Sequence, residues 1–387
     1  MRRALLPLTV LLAGCSIGGS GDAGPGQIAA PTSSQAKAVE KLGFPAVATR
    51  NTVRIGGGDA VADLAGTAAA VFPATSPTTR PHAVVLVDKS DWQGAIAASV
   101  LNATPLDAPV LASDGGELPP ASSDVLKRLA PSGADLARDA QVIRIGPGPP
   151  APGGLKSGKV GGSDDPYQEA ADIDRFFTAI RGKPSPHVIV ASGEQASYAM
   201  PAASWAARSG DSVLFTHRTR VPQPTLKAIA AHSRPDIYVL GPESVVAPAV
   251  QKRLRKLGTV RRVAGPTPVA NSVALARYSR RGFGWGITVP GYNFALASVT
   301  RPLDAAAAAT LATNAVFAPL LLTNGLATLP SEISSYLLDV QPGYEKDPAS
   351  GVYNRVWLLG DTKTISLEAQ GRLDEITRLV PVQARRP

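Results

Sequence analysis

From about residue 50 the chain alternates short, continuously apolar runs with longer stretches whose apolar positions recur at helical spacing. The runs at 52–57, 83–87, 108–111 and 141–146 predict strands, with helical patterns at 60–72, 93–101 and 123–129 between them. The same order returns. Strand-like runs fall at 159–162, 187–192, 212–216 and 237–241, with helical stretches at 167–180, 198–207 and 226–232. A third pass has runs at 262–265, 285–289, 318–323 and 355–360, separated by helical stretches at 270–278, 303–316 and 331–338. Continuous rather than alternating apolar strands predict burial on both faces, hence parallel sheets covered by helices. The stretch 303–316, alanine-heavy and interrupted by Asp304 and Asn314, predicts a buried amphipathic helix.

A period of roughly 100 residues is far above that of a solenoid, so each unit is expected to be a small α/β domain with its own core. The expected bounds are 49–148, 155–258 and 259–380. The Pro/Gly-rich segment 147–154 separates the first two, whereas a helix over 249–257 runs almost directly into the third.

The N-terminus has a different character. Met1-Arg2-Arg3 precedes the apolar run 4–11, a secretory signal pattern too short to span a bilayer. It ends in Leu12-Ala13-Gly14-Cys15, which resembles the bacterial lipobox. Cys15 is the only cysteine of the chain, so an internal disulfide framework is excluded and a lipid on Cys15 is the expected membrane anchor. The expected division is a signal peptide over 1–14 and a Gly/Ser-rich flexible tether over 15–48.

With 44% hydrophobic and 18% charged residues the chain is globular. A net charge of +9 suits an anionic partner, and export favours anionic lipid or wall polymer over nucleic acid. Aromatic residues are only 5%, a poor supply for stacking on bases or long glycans.

The carrying elements of the repeat are an Arg-x-Gly-Gly start, a Val-Val-Leu strand, an Ala-Pro-Val/Leu-Leu segment, a following Leu-Pro, and a closing Val-Ile-x-Ile-Gly strand. In that order they resemble the cell wall binding repeat 2 family of Gram-positive surface proteins, over roughly residues 50 to 380. The resemblance implies Rossmann-like or Toprim-like layered domains with mainly parallel sheets, packed with pseudo-threefold symmetry. It also implies non-covalent binding to an anionic secondary wall polymer, teichoic-acid-like or polysaccharide. Its Pro-Ile-Leu-Leu element maps here onto Pro109 and Leu111, and onto Pro319 and Leu321; its opening Arg maps onto Arg54. The second unit lacks the proline, having Asp211-Ser212-Val213-Leu214.

Other candidate chemistry is sparse. Gly56-Gly57-Gly58 suits either a phosphate cradle or a plain turn, and no Lys-Ser/Thr follows it. His82, His187, His217 and His232 have no metal-ligand spacing, so no metal and no cofactor are expected. Asp88, Asp91 and Trp92 follow a strand at the end where open α/β sheets take ligands, and suit a sugar contact or a solvated loop with a packing Trp. Ser192-Gly193-Glu194 is not a nucleophile elbow, and no catalytic cluster can be assembled. Lys252, Arg253 and Arg255 with Lys256, then Arg261 and Arg262, form the strongest basic cluster, suited to phosphate-bearing polymer or to a solvated helix face. The expected function is therefore non-catalytic: a lipid-anchored protein on the outer face of the membrane whose repeats bind anionic wall polymer. A solute-binding lipoprotein of a transporter is the alternative, predicting two lobes and a hinge.

Overall fold

The structure is a computed structural model describing residues 47–382 apart from 56, 314 and 315. The leader and Cys15 lie outside the described residues, as does nearly all of the tether.

The first unit contributes β1 (Val47–Ala48), β2 (Thr52–Ile55), α1 (Ala60–Val71), β3 (Val84–Asp88), α2 (Trp92–Ala98), β4 (Val110–Ser113), α3 (Pro120–Leu129) and β5 (Val142–Ile145). The second contributes β6 (Ser157–Val160), α4 (Pro166–Arg181), β7 (His187–Ser192), α5 (Ala196–Ala199), α6 (Pro201–Ser209), β8 (Ser212–Thr216), α7 (Gln223–Ala231), β9 (Asp236–Leu240) and α8 (Pro248–Leu254). The third contributes β10 (Thr259–Val263), α9 (Pro268–Arg277), β11 (Asn293–Ser298), α10 (Asp304–Leu311), β12 (Leu320–Thr323), α11 (Ser331–Asp339), β13 (Gly343–Tyr344), β14 (Arg355–Leu359), α12 (Leu367–Ile376) and β15 (Val380–Pro381).

The sheets do not follow the units strand for strand. Their orders are β4-β3-β5-β6, β8-β7-β9-β10 and β12-β11-β14-β2-β1, and every neighbouring pair is parallel except β1 with β2. Each sheet is thus completed by the opening strand of the next unit. The third is completed by the opening strand of the first, with Val356 opposite Thr52 and Leu359 opposite Ile55. The chain closes into a ring of three layered α/β domains, with the pseudo-threefold arrangement that the sequence resemblance implied.

The centre of the ring is built from alanine. Helices α2, α6 and α10 pack on one another across units, and Ile96, Ala206 and Ala307 belong to one continuous buried core. Small side chains let helix backbones approach closely without leaving voids. The helix expected at 303–316 is shorter, Asp304–Leu311, and is not amphipathic: all eight residues are buried. A helix apolar on all sides can only sit inside. The first helix of each unit bridges backwards, α1 onto α10, α4 onto α2 and α9 onto α5.

One strand was misplaced by the apolar pattern. The run 285–289 is a loop, and the third unit's central strand is β11, Asn293–Ser298. Gly284, Gly286 and Gly291 take φ of +96°, +65° and +105°, conformations closed to extended strands. Ile287 is apolar because it is buried in the core around Phe294 and Leu296, while its N–H bonds Ala276 O at 3.0 Å.

Candidate functional site

In each sheet the chain leaves one central strand towards one edge and its neighbour towards the other. That switch point opens a crevice at the carboxyl ends of the strands, between β3 and β5, β7 and β9, and β11 and β14. The fourth residue of α4, α9 and α1 enters each crevice from the next unit in the ring. These residues are Glu169, Asn271 and Asp63, all buried.

The second and third crevices are filled by side chains. In the second, Asn271 accepts from Gly265 N at 3.2 Å and donates to Tyr198 O at 3.4 Å, while the Tyr198 hydroxyl donates to Pro266 O at 2.8 Å. In the third, Arg301 occupies the space. Its Nη2 lies 2.6 Å from Asp63 Oδ2, its Nε 2.9 Å from Asp304 Oδ2, and its Nη1 donates to Thr364 at 3.0 Å. Burial, and then the neighbouring Asp304 carboxylate, push the Asp63 carboxyl well above its ordinary range, with Arg301 opposing. The first crevice is open. It has a volume of about 420 Å³ and is walled by Asp88, Asp91, Asp164 and Glu169 with Ser90 and Gln93.

The predicted polymer-binding residues separate into two groups. Pro109, Leu111, Pro319 and Leu321 are buried on or beside the edge strands β4 and β12 and have no surface to offer a polymer. Their apolar character is explained by burial on both sheet faces. Arg54 is 1% exposed. Its Nη1 donates to Gly360 O at 2.9 Å and Asp361 O at 2.8 Å, and its Nε to Gln370 Oε1 at 3.0 Å. Burial lowers its pKa to about 10 against the pull of Asp361 and Asp63. Arg262, at the same register of β10, repeats the pattern. It donates to Gly241 O at 2.6 Å, Val246 O at 2.8 Å and Gln251 Oε1 at 3.4 Å. The opening arginine is therefore a clamp that fastens the exchanged strand to the loop and helix of the preceding sheet. Lys159 holds that register in β6 and is exposed, and the proline-rich segment 147–152 stands where α8 and α12 stand in the other sheets.

Lys252, Arg253, Arg255 and Lys256 are exposed, and Arg261 is half-buried beside Tyr238. Sequence reasoning underestimated this region. Residues 244–303 contain ten Lys or Arg and no Asp or Glu, a signal visible in the chain as a run of like charge. Arg280 and Arg281 join the cluster through the fold: Tyr238 Oη donates to Arg280 O at 3.2 Å, and His187 Nε2 bonds Arg281 O at 3.1 Å. His187 begins β7 at the amino-terminal end of the second sheet, where the turn after α8 also enters β10, and Tyr238 stands in mid-β9 opposite Arg261. Arg277 pairs with Asp339 and Arg301 with Asp63. Lys252, Arg253, Arg255, Lys256, Arg261, Arg280 and Arg281 form no salt bridge among the described residues.

The remaining candidates are structural in their contacts. His232 is buried between Ser185 O and Asp174, both at 2.9 Å, and His82 bonds Ser132. His217 meets Tyr167 Oη at 2.9 Å and Glu194 Oε1 at 2.8 Å through the same Nδ1, whereas a proton relay needs the two opposite ring nitrogens. Trp92 packs edge-on against Phe215. Gly57 serves a tight approach, since a Cβ there would lie 2.5 Å from that of Ala62; Gly56 lies outside the described residues. Among the described residues no group of three or more His, Cys, Asp or Glu is arranged to hold a metal, and no helix is long and apolar enough to cross a membrane.

A family model described as cell wall binding domain 2 matches residues 159–251. The second unit is therefore similar to cell wall binding domain 2. The fold of the whole ring is shared with Cwp6 from Clostridium difficile, at a TM-score of 0.66 and 17% identity, over 84% of this chain and 48% of that one. Cwp8 from Clostridium difficile gives 0.64 and 16%, over 85% and 52%. The chain spans about half the length of those two proteins. Comparison with curated protein sequences finds no match. The cell wall binding domain 2 match starts at Lys159 in β6, a strand of the first sheet, and stops within α8. The first and third units share its strand order, with a Pro/Gly linker and a sealed Arg301 crevice as their departures.

Proposed function

We propose that the chain is a non-catalytic surface lipoprotein that binds an anionic wall polymer through the basic edge of its second sheet. The observation that carries this reading is the seven cations that form no salt bridge among the described residues, at and around the junction of the second and third units, in a stretch of 60 residues lacking any carboxylate. Guanidinium and ammonium groups at such an edge suit phosphate or carboxylate oxygens spaced along a flexible chain. Each contact is weak alone, and several on one polymer add through effective concentration. The cell wall binding domain 2 match supports a location outside the membrane, at the wall.

The lipobox-like quartet ending at Cys15 supports a lipid anchor on the outer face of the membrane, so that lipid and polymer tie the chain at two points. A two-lobed solute binder needs a hinge between lobes, whereas here β2 joins β14 and the three domains close on each other. The direct test is co-sedimentation with purified wall polymer at rising salt. Binding at low ionic strength that is lost as salt screens the charges is expected. A folded protein that stays unbound at low salt contradicts the proposal. For the anchor, Cys15→Ser is expected to move the protein from the detergent phase to the aqueous phase, and an unchanged partition would exclude lipidation.

A further inference from the structure

The crevice between β3 and β5 is opposite in charge to the basic edge and takes no part in the proposed polymer contact. It is more than an acidic surface. Glu169 is 4% exposed, lines the cavity, and its Oε1 receives no donor from another side chain or backbone N–H among the described residues; its close neighbour is the Asp91 carboxylate, with which the protonated acid shares a hydrogen bond. Two glycines make room for that carboxyl group. A Cβ on Gly94 would lie 2.3 Å from Oε1, and one on Gly146 would lie 2.4 Å from Oε2. At the equivalent positions Asp63 has the Arg301 guanidinium as a countercharge on Oδ2, although its Oδ1 also lacks a hydrogen-bond partner among the described residues, and Asn271 bonds backbone groups.

The charges that act on Glu169 are negative. Asp91 caps α2 by accepting from Gly94 N at 2.8 Å and stands beside it, with Asp172 and Asp164 behind. Asp88 is held ionised: burial works against its charge, but donors from the Ser90 hydroxyl and from Ser90 N and Gly115 N pull its pKa down. The neighbouring cation, Lys89, is turned to Asp114 at 2.6 Å. A ligand entering here must bring positive charge and hydroxyls or amides for Ser90, Gln93 and Ser163. A bound metal ion is disfavoured by the lack of a ligating cluster among the described residues.

We propose that this crevice binds a primary ammonium group on a hydroxylated ligand such as an amino sugar, with Glu169 and Asp91 as its ionic partners. In the free protein Glu169 keeps its proton, because burial and then Asp91 raise its pKa far above the ordinary carboxylate range. An arriving ammonium replaces that proton, which leaves to solvent, so binding is coupled to proton release.

The test uses glucosamine, with N-acetylglucosamine as the neutral match, titrated calorimetrically into the folded protein at neutral pH in two buffers of different ionisation enthalpy. Glucosamine is expected to bind at least tenfold more tightly than the acetylated sugar, with a buffer-dependent heat that reports the released proton. Glu169→Gln and Asp91→Asn are each expected to weaken glucosamine at least tenfold, and Glu169→Gln to abolish the buffer dependence. Asp347→Asn, at an exposed turn outside the crevice, is expected to change nothing. Equal binding of both sugars, binding of neither, or full binding by Glu169→Gln with its fold intact would overturn the assignment.

Discussion

The first and third crevices occupy the same place in the fold and have been resolved in opposite ways. Both receive a buried carboxyl from the fourth residue of the following unit's first helix, Glu169 in one and Asp63 in the other. In the third, Arg301 enters from the loop after β11 and binds both Asp63 and Asp304. In the first, no cation among the described residues enters, and burial together with Asp91 raises the pKa of the acid to about 9 beside an open cavity. One is a sealed joint of the ring and the other an unfilled one. The lesson is that repeats of one topology hold the same polar position while its chemistry diverges. A site is found by asking which copy leaves its buried acid without a countercharge.

The largest test of this contrast is Arg301→Ala. Removing one partner of a buried ionic group leaves the others uncompensated, at a cost of about 3–5 kcal/mol. Denaturant unfolding is expected to show that loss, and with it early release of β2 from β14. A cost comparable to an exposed substitution would mean that the crevice is not sealed by the ion pair.

The clamp gives the next effect. Arg54→Met strands the carbonyls of Gly360 and Asp361 and the amide of Gln370, and a loss of about 2–3 kcal/mol is expected. Lys159→Met, at the same register but exposed, is expected to stay within about 0.5 kcal/mol. Similar costs for the two would refute the division into clamped and open joints.

A smaller effect is expected for Glu169→Gln, which removes the buried acid without changing its shape. The folded pKa of Glu169 lies above its unfolded value. Folding therefore binds a proton, and wild-type stability is greatest at low pH and falls as pH rises from the unfolded pKa towards the folded one. The melting temperature of Glu169→Gln is expected to gain on wild type steadily between pH 5 and pH 8. A difference independent of pH would show that Glu169 is ionised in the folded protein.

Much of this architecture was legible in the chain. Continuous apolar runs such as Val84–Asp88 and His187–Ser192 announced parallel strands, and the threefold recurrence announced three sheets. The exchange of opening strands was not legible, because β2 joins β14 across some three hundred residues and no local pattern records that pairing. The misplacement at 285–289 has a local cause: Ile287 is buried in a glycine loop, whereas β11 reads Asn-Phe-Ala-Leu-Ala-Ser and has no β-branched residue. Site residues were legible in proportion to their exposure. The lysines and arginines at 252–256 lie where a charged helix end belongs. Arg54 and Pro109 read as surface ligands because the resemblance carries no information on burial, and both are interior. Glu169 gave no sign, since one acid in the first turn of a helix is ordinary N-terminal patterning.

The most direct test of the central claim is the affinity of purified anionic wall polymer for three proteins measured side by side at low salt. These are wild type, a variant with Lys252, Arg253, Arg255 and Lys256 all changed to Glu, and Glu169→Gln. The fourfold reversal is expected to abolish binding while melting close to wild type, and Glu169→Gln to bind the polymer as wild type does. Retained binding by the reversed variant, or loss in Glu169→Gln alone, would contradict that claim.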